Sequence, residues 1–141
     1  MRLAVRAVPV VALVWLLGAS PDVPAQEAMP GFGIPQLVRL DPKGILPAQI
    51  KVKRGTTVIW LNSTRGFVTV VFAGGEEAAS ATQSPTRFFL APDGTFTSNA
   101  FAPGAVASLS FLLPGQYRYF VSGVPGDFVG GGGVFGKIIV E

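Results

Sequence analysis

The sequence contains neither histidine nor cysteine among its 141 residues. Without cysteine the chain has no disulfides, no thiol nucleophile and no thiolate metal ligand. Without histidine it has no imidazole ligand and lacks the usual base of a serine triad. Only 13% of the residues are charged, against 49% that are hydrophobic. These absences exclude catalysis and metal binding that depend on histidine or cysteine. Since no disulfide can form, the stability of the fold must come from the hydrophobic core.

The few charged residues indicate turns and solvated surface. Glu76 and Glu77 are the only adjacent carboxylates, and their Ala-rich surroundings favour a solvated helical turn over a catalytic acid–base pair. Asp93 and Asp127 each neighbour a glycine, which is typical of turns. The densest basic segment, residues 51–54, is too sparse for the electrostatic footprint that nucleic-acid binding needs. The sequence therefore predicts no nucleic-acid partner and no enzyme.

The N-terminus has the pattern of a secretory signal. Two arginines precede an apolar run from residue 7 to residue 19, which is shorter than the roughly 20 residues of a membrane-spanning helix. Val23 and Ala25 then stand at positions −3 and −1 of a cleavage site before Gln26. We expect residues 1–25 to be a cleaved signal peptide; an uncleaved N-terminal anchor would have the same consequence, export to a periplasm or the outside of the cell.

The remaining chain is expected to be a flexible lead, residues 26–36, followed by one domain, residues 37–141. Glycine and proline are frequent, at 18 and 12, and 11 phenylalanines favour strands over helices. About eight short β-forming segments with turns between them predict a sandwich or barrel. The expected strands are 37–40, 50–53, 56–61, 67–72, 88–90, 95–97, 109–113, 117–121 and 137–140, with weak helical character over 76–81.

Three stretches combine strands and turns in an order that is known from one protein family. Residues 50–62 have a strand, a glycine turn and a strand that ends in an aromatic-x-Asn signature, Trp60-Leu-Asn62. Residues 101–111 have a Pro-Gly turn followed by a strand, and residues 114–119 and 134–140 supply two closing strands. In this order they resemble the cupredoxins, the blue-copper family that includes plastocyanin, in which the second stretch precedes the copper loop and the third closes it. The resemblance covers most of residues 37–141 and implies an all-β, Greek-key, two-sheet β-sandwich.

The resemblance also locates the positions of the copper ligands. Cupredoxins bind copper with two histidines, one cysteine and usually a weak axial methionine. Position by position, the first histidine corresponds to Val68, the cysteine to Val121, the second histidine to Val124 and the methionine to Val134. All four positions are valine, which has no lone pair for a metal. We therefore expect no cofactor and an apolar plug in place of the copper.

The alternative interpretation is that the chain is an electron carrier of the type-1 copper family. It is disfavoured because the sequence has no thiolate or imidazole to form a redox centre. Copper-free branches of the superfamily, such as ephrins, act by protein contact, and by that fold-level analogy the chain is predicted to be a binding or structural module in an exported complex.

Four apolar residues are candidates for the contact with a partner, which we expect to be another exported protein. Phe67, Phe128, Val129 and Phe135 are expected in or beside the loops at the former copper end. One interpretation is that these side chains fold inward over the valines; the other is that they form an exposed apolar patch for protein contact. The four consecutive glycines, residues 130–133, are interpreted as a flexible hairpin tip.

Overall fold

The protein is described by a computed structural model over residues 33–124 and 134–141. Within these ranges the chain forms eleven strands and one short helix. In chain order the elements are β1 (Gln36–Asp41), β2 (Gly44–Leu46), β3 (Gln49–Val52), β4 (Thr56–Asn62), β5 (Thr69–Phe72), α1 (Gly75–Ser80), β6 (Thr82–Thr86), β7 (Phe88–Leu90), β8 (Phe96–Ser98), β9 (Val106–Phe111), β10 (Gly115–Ser122) and β11 (Val134–Val140). The expected signal and lead segments, apart from residues 33–36, lie outside the described residues.

The strands form two mixed sheets. One has five strands in the order β2-β1-β4-β9-β6, and the other has six in the order β3-β11-β10-β5-β8-β7. From β2 to β7 successive strands alternate between the two sheets. Two strand pairs are parallel, β1 with β4 and β3 with β11. The remaining pairs are antiparallel. The predicted Greek-key β-sandwich is confirmed.

The core lies between the sheets because the strands alternate between buried and outward side chains. In β4 every second residue is buried, from Thr56 to Asn62, and the residues between them are only half-buried. Trp60 is fully buried at the centre, and the rings of Phe72, Phe88 and Tyr119 lie 5.4 to 6.0 Å from its ring, centroid to centroid. Such aromatic contacts add to the free energy of burial and join the two sheets.

Tyr119 fits into this core because its cross-strand neighbour is a glycine. Gly136 of β11 lies opposite Tyr119 of β10, and a Cβ at position 136 would overlap the phenol ring. The tyrosine is 1% exposed, and burial raises the pKa of its hydroxyl from 10.0 to about 12. The hydroxyl is therefore neutral in the folded protein at any physiological pH.

The short helix and some strand ends differ from the sequence expectations. Helix α1 forms where the Ala-rich segment indicated it, and Glu76 and Glu77 are exposed in its first turn. β2 and β6 are additional short strands at the edges of the five-stranded sheet. The strand expected to reach residue 113 ends at Phe111, because Leu112 and Leu113 lie in the turn before β10 and are exposed. In the described ranges no helix is long and apolar enough to cross a membrane.

Candidate functional site

Three of the four valines at the expected ligand positions lie on one face of the six-stranded sheet. Val121 of β10 is the cross-strand partner of Val70 in β5 on one side and of Val134 in β11 on the other. Val68 comes two positions before Val70, so it lies on the same face, diagonal to Val121. Val68, Val70 and Val121 are at most 1% exposed, and Val134 is half-buried. This face is the inner one, which packs against the other sheet.

The fourth valine reaches the same end of the sandwich through a tight turn. Val124 follows β10 by two residues and is 2% exposed. Gly123 before it has φ +91°, a conformation that L side chains rarely adopt. A Cβ on Gly123 would overlap the carbonyl oxygen of Phe67, so the glycine lets residues 123 and 124 approach residues 67 and 68. We name Val68, Val121, Val124 and Val134 the valine cluster.

Val68 is fixed by a bridge to the loop before β9. Its N–H donates to the carbonyl of Phe101 at 3.2 Å, and the N–H of Phe101 donates back to its carbonyl at 3.0 Å. Phe101 is itself 1% exposed. The bridge ties the segment before β5 to the segment before β9, and both segments contribute a buried apolar side chain at this end of the fold.

Asn62, the last residue of the aromatic-x-Asn signature, organises the same loops with its buried side chain. Its amide nitrogen donates to the carbonyls of Gly66 at 2.8 Å and Phe101 at 2.9 Å. Its Oδ1 accepts from the backbone N–H of Thr64 at 2.9 Å and from the Thr64 hydroxyl at 2.7 Å. All four hydrogen-bonding positions of the amide are therefore used, which fixes the approach of the chain to Phe67 and Val68.

The valine cluster does not fit a type-1 copper ion. Such a site needs a thiolate and two imidazole nitrogens, whereas the cluster offers only methyl groups to a metal, and the sequence has no residue that could replace them. In the described ranges no three His, Cys, Asp or Glu side chains lie together. Burial of a valine side chain stabilises a fold by about 1.5–2 kcal/mol, so the cluster acts as core.

Phe67 and Phe135, two of the candidate contact residues, are both exposed. Phe67 is 65% and Phe135 is 68% exposed. Phe135 follows Val134 in β11, and because neighbouring residues of a strand point to opposite faces, its ring lies on the outer face of the six-stranded sheet. Phe67 lies in the loop before β5, next to Val68. Neither ring folds inward over the valines. The other two candidates, Phe128 and Val129, lie outside the described residues.

Phe135 belongs to a row of side chains that crosses the outer face of the sheet. It is the cross-strand partner of Phe120, which is paired in turn with Val71, and the two phenylalanine rings are 6.3 Å apart. Val71 is paired with Thr97, and Thr97 with Phe89, which is 42% exposed. We name Phe135, Phe120, Val71, Thr97 and Phe89 the outer row. Sequence reasoning missed it because its members come from five strands whose register the sequence does not show.

No protein-family model matches this chain, and no curated protein matches it either. Solved structures of amicyanin mutants are similar to it. A Cu(I) form of one mutant superposes with a TM-score of 0.54 at 21% identity, over 75% of this chain and 81% of that chain. An oxidized form of a second mutant has a TM-score of 0.53 at 21% identity, and so does a reduced form of a third, with the same coverage.

At this identity the likeness concerns the fold. The predicted resemblance is thereby confirmed at the level of architecture: the described domain has a cupredoxin-like fold.

Proposed function

We propose that this protein is an exported binding module, a copper-free cupredoxin-like domain that holds another exported protein in a complex. The observation that carries the proposal is the contrast across the six-stranded sheet. Its inner face has only methyl groups at the expected ligand positions, its outer face exposes Phe135, and the adjoining loop before β5 exposes Phe67. Exposed aromatic rings are frequent anchors of protein interfaces. Export follows from the expected signal peptide, residues 1–25.

The second candidate function, electron transfer, has less support. The amicyanin structures are described as Cu(I), oxidized and reduced forms, and that chemistry belongs to a copper ion. A carrier of this kind would need ligands that the valine cluster does not offer. In this proposal the chain has the cupredoxin-like fold without a redox centre and functions through contact with another protein, with no catalytic step.

The test is capture of a partner by wild-type protein and by the double variant Phe67→Ser/Phe135→Ser. The full chain, tagged at its C-terminus, is produced in its own host, cross-linked in place and purified, and the cross-linked proteins are identified by mass spectrometry. We expect a partner that wild type captures and the double variant loses. Because both rings are exposed, we expect the free energy of unfolding to change by at most about 1 kcal/mol.

Leu37→Ser is the matched control. Leu37 is 55% exposed on the other sheet, in β1, so its replacement removes a comparable apolar side chain from the opposite side of the molecule. Capture by this variant should equal that of wild type. Equal capture by the double variant would refute the outer face as the contact surface, and a collapse of its stability would show that the two rings belong to the core.

A further inference from the structure

A cavity of about 380 Å³ opens on the outer face of the six-stranded sheet, beside the outer row. It is lined by Ala48, Gln49, Arg118, Phe135, Gly136 and Lys137. One wall is therefore an exposed aromatic ring, and another carries two cationic side chains. Pockets of about 300–1,000 Å³ with an apolar lining and a few polar groups are typical of ligand sites.

The two cations of this cavity lie directly opposite each other. Arg118 of β10 and Lys137 of β11 are cross-strand partners, an arrangement that is unfavourable for like charges. Within the described ranges the ion pairs are Arg39 with Asp41 and Lys51 with Glu141. Lys51, on the next strand, thus has a carboxylate at 3.3 Å, whereas no carboxylate of the described residues pairs with Arg118 or Lys137. An anion placed between these two side chains would relieve their repulsion.

We propose that the cavity binds a carboxylate of an acidic, partly apolar segment of the partner protein. The inference rests on the proposed function and specifies the chemistry of its partner. Arg118 binds the carboxylate through its planar guanidinium, which matches the two carboxylate oxygens. Lys137 supplies the second positive charge, and the Gln49 amide can donate a further hydrogen bond.

The surroundings of the cavity favour a polypeptide over a simple anion. Phe135 forms a flat apolar wall, and the outer row continues from it across β10, β5, β8 and β7. With strands about 4.8 Å apart, these five positions extend over roughly 19 Å. An inorganic anion would use only the two cations, but an extended segment with one acidic and two aromatic residues at positions i, i+2 and i+4 would present all three on one side and use the cations and the row together.

The test is binding of blocked five-residue peptides to the full, ¹⁵N-labelled chain, followed by NMR. The probe is Ac-Phe-Ser-Phe-Ser-Glu-amide, and the matched neutral peptide has glutamine in place of the glutamate. We expect the acidic peptide to bind more tightly and to shift the amide signals of Gln49, Arg118 and Lys137. Arg118→Gln and Lys137→Gln should each weaken binding about threefold and together about tenfold, since exposed charge pairs contribute modestly. Lys53→Gln, an equal charge change at the residue that follows β3, should weaken binding less than twofold.

Equal affinity for the two peptides would overturn the proposal, and so would Arg118→Gln and Lys137→Gln binding the acidic peptide as wild type does. Binding of phosphatidylglycerol vesicles but not of the acidic peptide would also overturn it and would identify the cations as a lipid-headgroup site. In the capture experiment, dependence on Phe67 and Phe135 without dependence on Arg118 and Lys137 would refute this inference while leaving the binding module intact. Charge-dependent binding of the acidic peptide, together with capture that does not depend on Phe67 and Phe135, would support this inference and refute these two rings as the contact surface of the binding module.

Discussion

The two faces of the six-stranded sheet show how one set of strands carries two different surfaces. On the inner face Val68, Val70 and Val121 are almost completely buried, whereas on the outer face Phe135 exposes about two thirds of its surface. Val134 and Phe135 are adjacent in β11, so the difference between their two side chains arises from strand alternation. The inner face, where the family resemblance places the copper ligands, is part of the core here.

Histidine and cysteine on the inner face should convert the valine cluster into a copper site. We expect wild-type protein to stay colourless with Cu(II) and to show no stoichiometric binding by calorimetry, because it has no imidazole or thiolate. The variant Val68→His/Val121→Cys/Val124→His should bind copper with the intense visible absorption of a copper–thiolate bond. A folded variant that binds no copper would show that these valines do not occupy ligand positions. Tight copper binding by wild type would refute the copper-free assignment.

A carboxylate should lower the free energy of unfolding far more on the inner face of the sheet than on its outer face. Val121→Asp places a carboxylate among methyl groups, without a partner, and should lower the free energy of unfolding by at least about 4 kcal/mol. Phe135→Asp puts the same carboxylate on the outer face and should cost no more than about 1 kcal/mol. Urea unfolding of both variants measures the difference. Similar losses would mean that Phe135 is part of the core.

Loss of the Asn62 amide should destabilise the loops that hold Val68 in place. Asn62→Ala leaves the buried N–H of Thr64 without its partner and removes one of the two hydrogen bonds that the carbonyl of Phe101 accepts. An unsatisfied buried group costs about 1–3 kcal/mol and a lost hydrogen bond about 1 kcal/mol, so we expect a total loss of about 3 kcal/mol. Ser63→Ala, at the exposed neighbouring position, is the control and should change stability by less than about 0.5 kcal/mol. A small effect of Asn62→Ala would show that the loops do not depend on this amide.

Alkaline pH should destabilise the protein through Tyr119. Burial raises the pKa of this tyrosine from 10.0 to about 12. The folded state therefore keeps the proton longer than the unfolded state, so the stabilisation is complete below pH 10 and is lost as the pH rises from 10 through 12. Two pKa units correspond to about 2–3 kcal/mol. Tyr119→Phe should unfold with a shallower pH dependence over this window, and an unchanged profile would contradict the burial of the hydroxyl.

Replacement of an exposed ring should have the smallest effect on stability and the most selective effect on binding. We expect Phe67→Ser alone to change the free energy of unfolding by no more than about 0.5 kcal/mol, because the ring buries little surface in the isolated domain. Partner capture should decrease nonetheless. Denaturant unfolding and quantitative capture of the same preparation measure the two quantities. Capture that decreases only in proportion to the folded fraction would argue against a docking role.

Much of the fold could be predicted from the sequence because alternation and turns are local. The apolar–polar period of residues 50–53 and the turn at Pro114-Gly115 predicted strands that the structure contains. β2 and β6 were not predicted because they have three and five residues and little apolar alternation. Such edge strands form because a neighbouring strand offers hydrogen-bond partners, which is a property of the sheet.

The residue types alone exclude blue-copper chemistry: without histidine or cysteine, no arrangement of the chain can make a type-1 ligand set. The family resemblance also picks out four valines as the expected ligand positions, because a spacing is read along the chain. Which side chains meet depends on the tertiary structure. The outer row and the opposed Arg118 and Lys137 depend on the register of strands far apart in sequence. Register is set by the pairing of whole strands, and a shift of one residue would turn every one of these side chains to the other face.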